Sequence, residues 1–266
     1  MICYPNAKIN IGLNVISKRI DGFHNLESVV IPIPLYDILE VIINRDIEET
    51  SISYSGYSLD NNKIDLVIRA YNLIKNDFKI PSLKIHLHKI IPIYSGLGGG
   101  SSDAVFMLKL LNNLFNLKIS NMKLLKYANL LGSDCPFFVL NKISQVSGRG
   151  ADVKPLNLSL SNYKLVIIKP PIECSTIDIF NKYVLKSSEP LIVTNKVESW
   201  RGSVKNNLES VCFDMHPEIA NIKKYLYSSG AIYASMSGSG SSVYAFFKKN
   251  SIIKAYKNYW FKSMNI

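Results

Sequence analysis

Gly96-Leu97-Gly98-Gly99-Gly100-Ser101-Ser102-Asp103 is the stretch on which the reading of this chain turns. Upstream, Leu83, Ile85 and Leu87 alternate with Lys84, His86 and His88, a period of two that predicts a strand, and the chain runs on through Pro92-Ile93-Tyr94-Ser95 into the glycines. Downstream, Ala104, Leu108, Leu111 and Phe115 share one helical face. A strand, a glycine loop and a helix in that order make a cradle for phosphate. Glycines lack the Cβ that would hold a phosphate away from backbone N–H groups, and the helix N-terminus adds exposed donors and a favourable dipole. Ser101 and Ser102 can cap the helix and also offer hydroxyls to phosphate or Mg²⁺. A turn that only caps a helix needs one glycine rather than four. Two common nucleotide motifs are excluded: no lysine follows Gly100 as a P-loop requires, and Ser101 stands where the dinucleotide fingerprint needs its third glycine.

Working outward, Ile9, Ile11, Leu13 and Val15 alternate with Lys8, Asn10 and Asn14, which predicts a strand over 8–17. Asp21-Gly22 marks a turn, and β-branched runs follow over 26–33 and 37–44. Helical spacing from Leu66 to Ile74 ends before Pro81, and a second short helix is expected from Asn121 to Leu131, stopped by Gly132. Beyond residue 150 the mixed texture continues, with strands expected over 165–169, 231–234 and 242–247 and helices over 177–183 and 218–228. The last two strands are joined by a second glycine-serine loop, Ser237-Gly238-Ser239-Gly240-Ser241.

Composition narrows the class. The 266 residues are 47% hydrophobic and 19% charged, which is globular, and the length suits one large or two modest domains. The net charge of +11 is spread along the chain, nowhere denser than pairs such as Lys223-Lys224 and Lys248-Lys249 and with no arginine-rich arm, and with abundant Ile and Asn it reads as a coding bias rather than a nucleic-acid footprint. A nucleic-acid-binding protein needs basic and aromatic residues clustered on one face, and leaves the glycine loop unexplained. The N-terminal apolar stretch is interrupted by Asn6, Lys8 and Asn10, no run reaches a membrane span, and Cys3, Cys135, Cys174 and Cys212 have neither CxxC nor metal-ligand spacing. These features lead us to expect free thiols and a cytoplasmic protein.

Phosphoryl transfer to an alcohol asks for charge neutralisation, positioning and a group to accept the hydroxyl proton. Asp134, in Gly132-Ser133-Asp134-Cys135-Pro136 just past a helix end, is the candidate; the alternative is an ordinary turn aspartate. Lys8, on a strand between apolar neighbours, can favour developing negative charge, or be a solvated strand-face lysine. Phe23 and His24 can stack on and hydrogen-bond a ring. His86 and His88 share a strand face without further metal ligands, and with His216 are expected at the surface.

Assembled, these residues resemble the GHMP kinase superfamily over essentially the whole chain: a Pro-x3-Gly-Leu-Gly-type phosphate loop from Pro92 to Ser102, and the late loop from Ser237 to Ser242. The resemblance implies an α+β, two-domain GHMP kinase fold, with an N-terminal nucleotide-binding domain (1–152) related to ribosomal protein S5 domain 2 and a ferredoxin-like C-terminal domain (153–266). It implies ATP and Mg²⁺, with the phosphate loop, Lys8 and Asp134 converging on one cleft. Lys89, Pro92, Ile93, Tyr94, Ser95, Gly96, Leu97, Gly98, Gly99, Gly100, Ser101 and Ser102 fall on the nucleotide side, and Lys8 and Asp134 on the catalytic pair. The blocks from Pro5 to Ile11, Arg19 to Leu26 and Gly132 to Phe138 narrow the match to a member whose acceptor carries cytidine diphosphate, met by Asn10, Phe23, His24, Thr176 and Phe180. Asn206-Asn207-Leu208-Glu209 also matches a family segment. Other members, acting on mevalonate, homoserine or a sugar, share both glycine loops. Asp65 departs from a usual asparagine near the adenosine, Ala151 from a usual acidic residue, and Phe23 from a usual tyrosine. No nucleic-acid or membrane partner is implied, and the chain is expected as a monomer or homodimer.

Overall fold

The computed structural model describes residues 1–44, 49–57, 65–187 and 189–266. In chain order the first part carries β1 (Ile2–Cys3), β2 (Asn6–Lys18), β3 (His24–Tyr36), β4 (Ile38–Ile43), β5 (Ser51–Gly56), α1 (Leu66–Asp77), β6 (Leu83–Lys89), α2 (Gly99–Leu114), α3 (Asn121–Leu131) and α4 (Cys135–Leu140). There follow β7 (Ser144–Gly148), β8 (Asp152–Pro155), β9 (Tyr163–Lys169), α5 (Thr176–Lys182), α6 (Glu209–Met215), α7 (Pro217–Ser228), β10 (Tyr233–Met236), β11 (Val243–Lys248) and β12 (Trp260–Asn265). No helix among the described residues is long and apolar enough to cross a membrane.

Contacts divide the chain into two compact units with interleaved segments: Met1–Ala7, Leu35–Ile93 and Gly98–Lys142 in the first, and Lys8–Pro34, Tyr94–Leu97 and Ile143–Ile266 in the second. This division differs from a single boundary at residue 152. Its cause is strand pairing: β2 and β3 share a sheet, in the order β2-β3-β7-β8, with strands that come only after residue 143.

In the first unit the sheet runs β1-β4-β6-β5, with β4 antiparallel and β5 parallel to β6. The alternation in β6 buries Leu83, Ile85 and Leu87 and turns Lys84, His86 and His88 away from the core. His86 and His88 are half-buried rather than free at the surface, since Ser55 Oγ lies 2.8 Å from His86 Nε2 and 2.8 Å from His88 Nδ1. Helix α1 begins at Asp65, whose Oδ1 accepts N–H bonds from Val67 (2.6 Å) and Ile68 (3.0 Å) while Oδ2 accepts the Tyr54 hydroxyl (2.7 Å). The departure at Asp65 is therefore a cap, which satisfies two of the helix's orphan donors. Ser120 caps α3 in the same manner, accepting from Lys123 N at 3.3 Å, and Gly132 follows its last residue as the spacing requires.

In the second unit β10-β11-β9-β12 form an antiparallel sheet. Leu165, Val166, Ile167 and Ile168 of the inner strand β9 are all buried, which explains a continuous apolar run where a half-exposed strand would alternate. Trp200 lies edge-on to Tyr233 and Phe246, each at 5.5 Å between ring centroids. The expected strand at 231–234 starts later, at Tyr233, because Gly230 (φ 92°) and Ala231 still close the end of α7, with Ala231 N donating to Leu226 O. The polar β5 and the short α4 and α6 carry no strong periodicity in sequence, and only their surroundings in the fold define them.

Replacing Asp65 by alanine removes the α1 cap and strands the Tyr54 hydroxyl; a loss of about 1 kcal/mol is expected in urea unfolding. Asp65→Asn, which keeps a capping oxygen, is expected to lose less.

Candidate active site

Helix α2 opens on Gly98 in the left-handed region (φ 71°), with no side-chain capping bond. The N–H groups of its first turn therefore have no intrahelical partner, and the dipole adds positive potential there. Leu97, fully buried, anchors the loop from below, and Gly100 is open to solvent. Within that turn the Ser102 hydroxyl is buried and has no hydrogen-bond partner among the described residues.

Beneath this turn lies a buried ionic cluster. Lys89 donates to Asp37 and, at 2.6 Å, to Asp103 Oδ2, all three side chains being within a few per cent of complete burial. Asp37 Oδ1 also accepts the N–H groups of Ile90 (2.5 Å) and Ile91 (2.8 Å), which fixes the end of β6. Burial pushes the Asp103 carboxyl up to about 8, against the pull of Lys89 and assisted by Asp37. Burial also opposes the Lys89 charge, but the two carboxylates outweigh it and hold its pKa above the ordinary value. Lys89 is thus not extended into solvent: its Nζ lies 3.2 Å from where a Cβ on Gly99 would stand, so it supports the glycine turn from inside.

In the second unit, Ser95, Gly96 and Leu97 are held against the late glycine loop. Ser237 Oγ donates to Gly96 O at 2.8 Å, Ser242 N donates to Ser95 O at 3.1 Å, and a Cβ at Gly96 (φ 73°) would collide with the Ser237 carbonyl. Lys8, at 3% exposure, donates from N to Leu97 O (2.9 Å) and from Nζ to Asn10 Oδ1 (2.5 Å). Its Nζ is 3.6 Å from the position of a Cβ on Gly238, so Lys8 is a buried lysine facing the loop rather than a solvated one. Asn206 fixes that loop by donating to Met236 O (3.0 Å) and Gly238 O (2.7 Å), and Glu209 Oε1 accepts from Met236 N (2.9 Å) and Ser235 Oγ (3.0 Å). The segment 206–209 is thus a brace for the second glycine loop.

Asp134 immediately precedes α4, with Pro136 in the first turn, and its exposed carboxylate makes no capping bond to that helix. Within the first unit the neighbouring Cys135 thiol is hydrogen-bonded to Ser101, so the Asp134 turn and the entry of α2 are adjacent. Burial pushes that thiol up to about 12 and leaves it inert.

The aromatic residues of the second unit do not all pair with one another. His24 stacks on Phe180 at 5.1 Å with 26° between planes, whereas Phe23 lies under the Arg149 guanidinium at 3.6 Å. Burial, then the charge of Lys18, lower the His24 pKa and favour the neutral imidazole. Thr176 Oγ1 lies 2.7 Å from Ser239 Oγ, which ties α5 to the second glycine loop. Arg149 and Asp37 were not singled out in sequence; the Gly148-Arg149-Gly150 turn is the signal that could have flagged the first.

The GHMP kinases N terminal domain family matches residues 65–142, and the GHMP kinases C terminal family matches residues 189–264. The 4-diphosphocytidyl-2-C-methyl-D-erythritol kinase of Bacteroides fragilis is 46% identical over 252 residues, covering 93% of this chain and 92% of that protein. The chain belongs to the 4-diphosphocytidyl-2-C-methyl-D-erythritol kinase family of GHMP kinases. Another member of this kinase family, from Azobacteroides pseudotrichonymphae, is 46% identical over 257 residues and covers 94% of each chain. A crystal structure of 4-(cytidine 5'-diphospho)-2C-methyl-D-erythritol kinase superposes with a TM-score of 0.77 at 28% identity, covering 92% of this chain and 89% of that one. A mevalonate kinase structure, at 13% identity and a TM-score of 0.68 over 94% and 92% of the two chains, shares the fold.

The Asp103 shift has a definite sign. Between the ordinary carboxylate value near ~4 and about 8, the folded chain keeps a proton that the unfolded chain has released, so stability falls as pH rises across that window and is level above it. Asp103→Asn cannot titrate. Its melting temperature is expected to fall less than that of the native chain between about pH 5 and about pH 8, inside that window; equal slopes would mean that Asp103 is ionised throughout.

Proposed function

We propose that this chain transfers the γ-phosphoryl group of ATP to the 2-hydroxyl of 4-diphosphocytidyl-2-C-methyl-D-erythritol, giving the 2-phosphate ester and ADP in non-mevalonate isoprenoid precursor biosynthesis. The observation that carries this reading is the uncapped, glycine-lined start of α2, with Ser101 bonded to the Asp134–Cys135 turn, in a chain whose close relatives bear that kinase name.

The phosphates of ATP lie along the loop from Pro92, Ile93, Tyr94 and Ser95 to Ser102, taking hydrogen bonds from N–H groups that the helix itself leaves unused. Lys89 serves the nucleotide indirectly, by holding the turn at Gly99 in place. Asp134 accepts the proton of the attacking hydroxyl, and Lys8, aligned by Asn10, offsets the charge that develops on it. Phe23, His24, Thr176 and Phe180 meet the cytidine diphosphate end. The unpartnered Ser102 hydroxyl suits Mg²⁺, a hard ion that takes oxygen ligands. If bound there, Mg²⁺ would supply neutralisation of charge on the transferring phosphates. Free cysteines and the use of ATP support a cytoplasmic location.

ADP release should be measured with MgATP and a panel of acceptors: the diphosphocytidyl compound, mevalonate, homoserine and galactose. Turnover is expected with the first alone; turnover of another acceptor would replace the substrate assignment while leaving the kinase class intact. Asp134→Asn is expected to lower kcat by about 10²- to 10⁴-fold with ATP affinity little changed. If kcat survives, the carboxylate is not the proton acceptor.

A further inference from the structure

Three of the sulfur atoms in the second unit meet at one glycine. Cys174 Sγ and Cys212 Sγ lie 3.7 Å apart, and both are free thiols. A Cβ built on Gly240 would stand 3.4 Å from each of them and 2.9 Å from Met236 Sδ. The three sulfurs therefore crowd the face of Gly240 on which a side chain would stand. They arrive from separate elements: Cys174 just before α5, Cys212 within α6 and Met236 at the end of β10. Cys212 and Met236 are completely buried and Cys174 is 6% exposed, which gives the group one side towards solvent.

This arrangement differs from an ordinary apolar contact in spacing, ligand type and charge. Three sulfurs bound to one metal in a plane, at bond lengths of about 2.3 Å, stand about 4.0 Å apart, so the observed thiol separation needs almost no adjustment. A disulfide, at about 2.05 Å, would demand a much larger approach. Two thiols and a thioether are the soft donors that select monovalent copper over harder ions. Metal binding to two thiols leaves one net negative charge on the group.

We propose that Cys174, Cys212 and Met236 form a binding site for a thiophilic metal ion of the Cu(I) class. Binding replaces two S–H bonds by two metal–thiolate bonds, releases two protons to solvent, and changes no oxidation state. The site goes beyond the kinase reading and does not depend on it. It joins the segment that leads into Thr176 to the strand that leads into Ser237, so its occupancy bears on the second glycine loop.

The test is titration of the reduced, full-length protein with Cu(I) under anaerobic conditions, in competition with a chromophoric Cu(I) chelator. One equivalent is expected to bind, and X-ray absorption on that complex is expected to show sulfur neighbours only, a measurement that needs no variant. Cys174→Ala and Cys212→Ala are each expected to weaken binding at least about 100-fold and Met236→Leu about 10-fold, as removal of a thiolate and of a weaker thioether implies. Cys3→Ser should leave it unchanged. Failure of the reduced native chain to compete with the chelator overturns the proposal, as does binding lost in Cys3→Ser, or nitrogen and oxygen neighbours in the absorption spectrum. A disulfide between Cys174 and Cys212 in air, with no uptake by the reduced protein, overturns it as well.

Discussion

The structure depends on a close approach of two backbones. Gly96 can lie against the Ser237 carbonyl only because it has no Cβ, and that contact is fixed by Ser237 Oγ donating to Gly96 O and by Ser242 N donating to Ser95 O. A phosphate-binding loop must be rigid, since N–H donors that have to be reorganised in the presence of ligand lose the benefit of being set in advance. Here the rigidity comes from a second glycine loop, itself braced by Asn206 and Glu209. Residues more than a hundred positions apart in sequence thus share the work of holding one short segment.

A complementary constraint acts on the other half of the loop. Lys89, Asp37 and Asp103 are buried together, and each would be costly alone in that environment. Their charges fix the end of β6 relative to the start of α2, the strand and helix that the glycine turn must join.

Much of this was legible from the sequence. The alternation of Leu83, Ile85 and Leu87, the glycines from 96 to 100 and the helical face from Ala104 to Leu111 are local signals, and they correspond to β6, the loop and α2. Asn121 to Leu131 was legible to its last residue because a serine cap and a terminal glycine frame it. Interactions between distant residues were not legible. Nothing near Lys89 announces that its partners are Asp37 and Asp103, and nothing near Phe23 announces Arg149. β5, a serine-rich stretch, becomes a strand by pairing in parallel with β6, and the interleaving of the two units follows from the pairing of β3 with β7 rather than from any linker.

The stack of His24 on Phe180 carries a consequence for affinity. In the free chain each ring already shields one face of the other from water, so an aromatic base that enters between them exchanges one stacked contact for two. The net gain is a single contact, on the order of 0.5–1.5 kcal/mol. At a site of that kind, discrimination among bases would have to come from polar groups at the edge of the ring, where an unmatched donor or acceptor costs more than a stack returns. Two rings that close on each other make a slot open to many flat molecules in principle, and to few in practice.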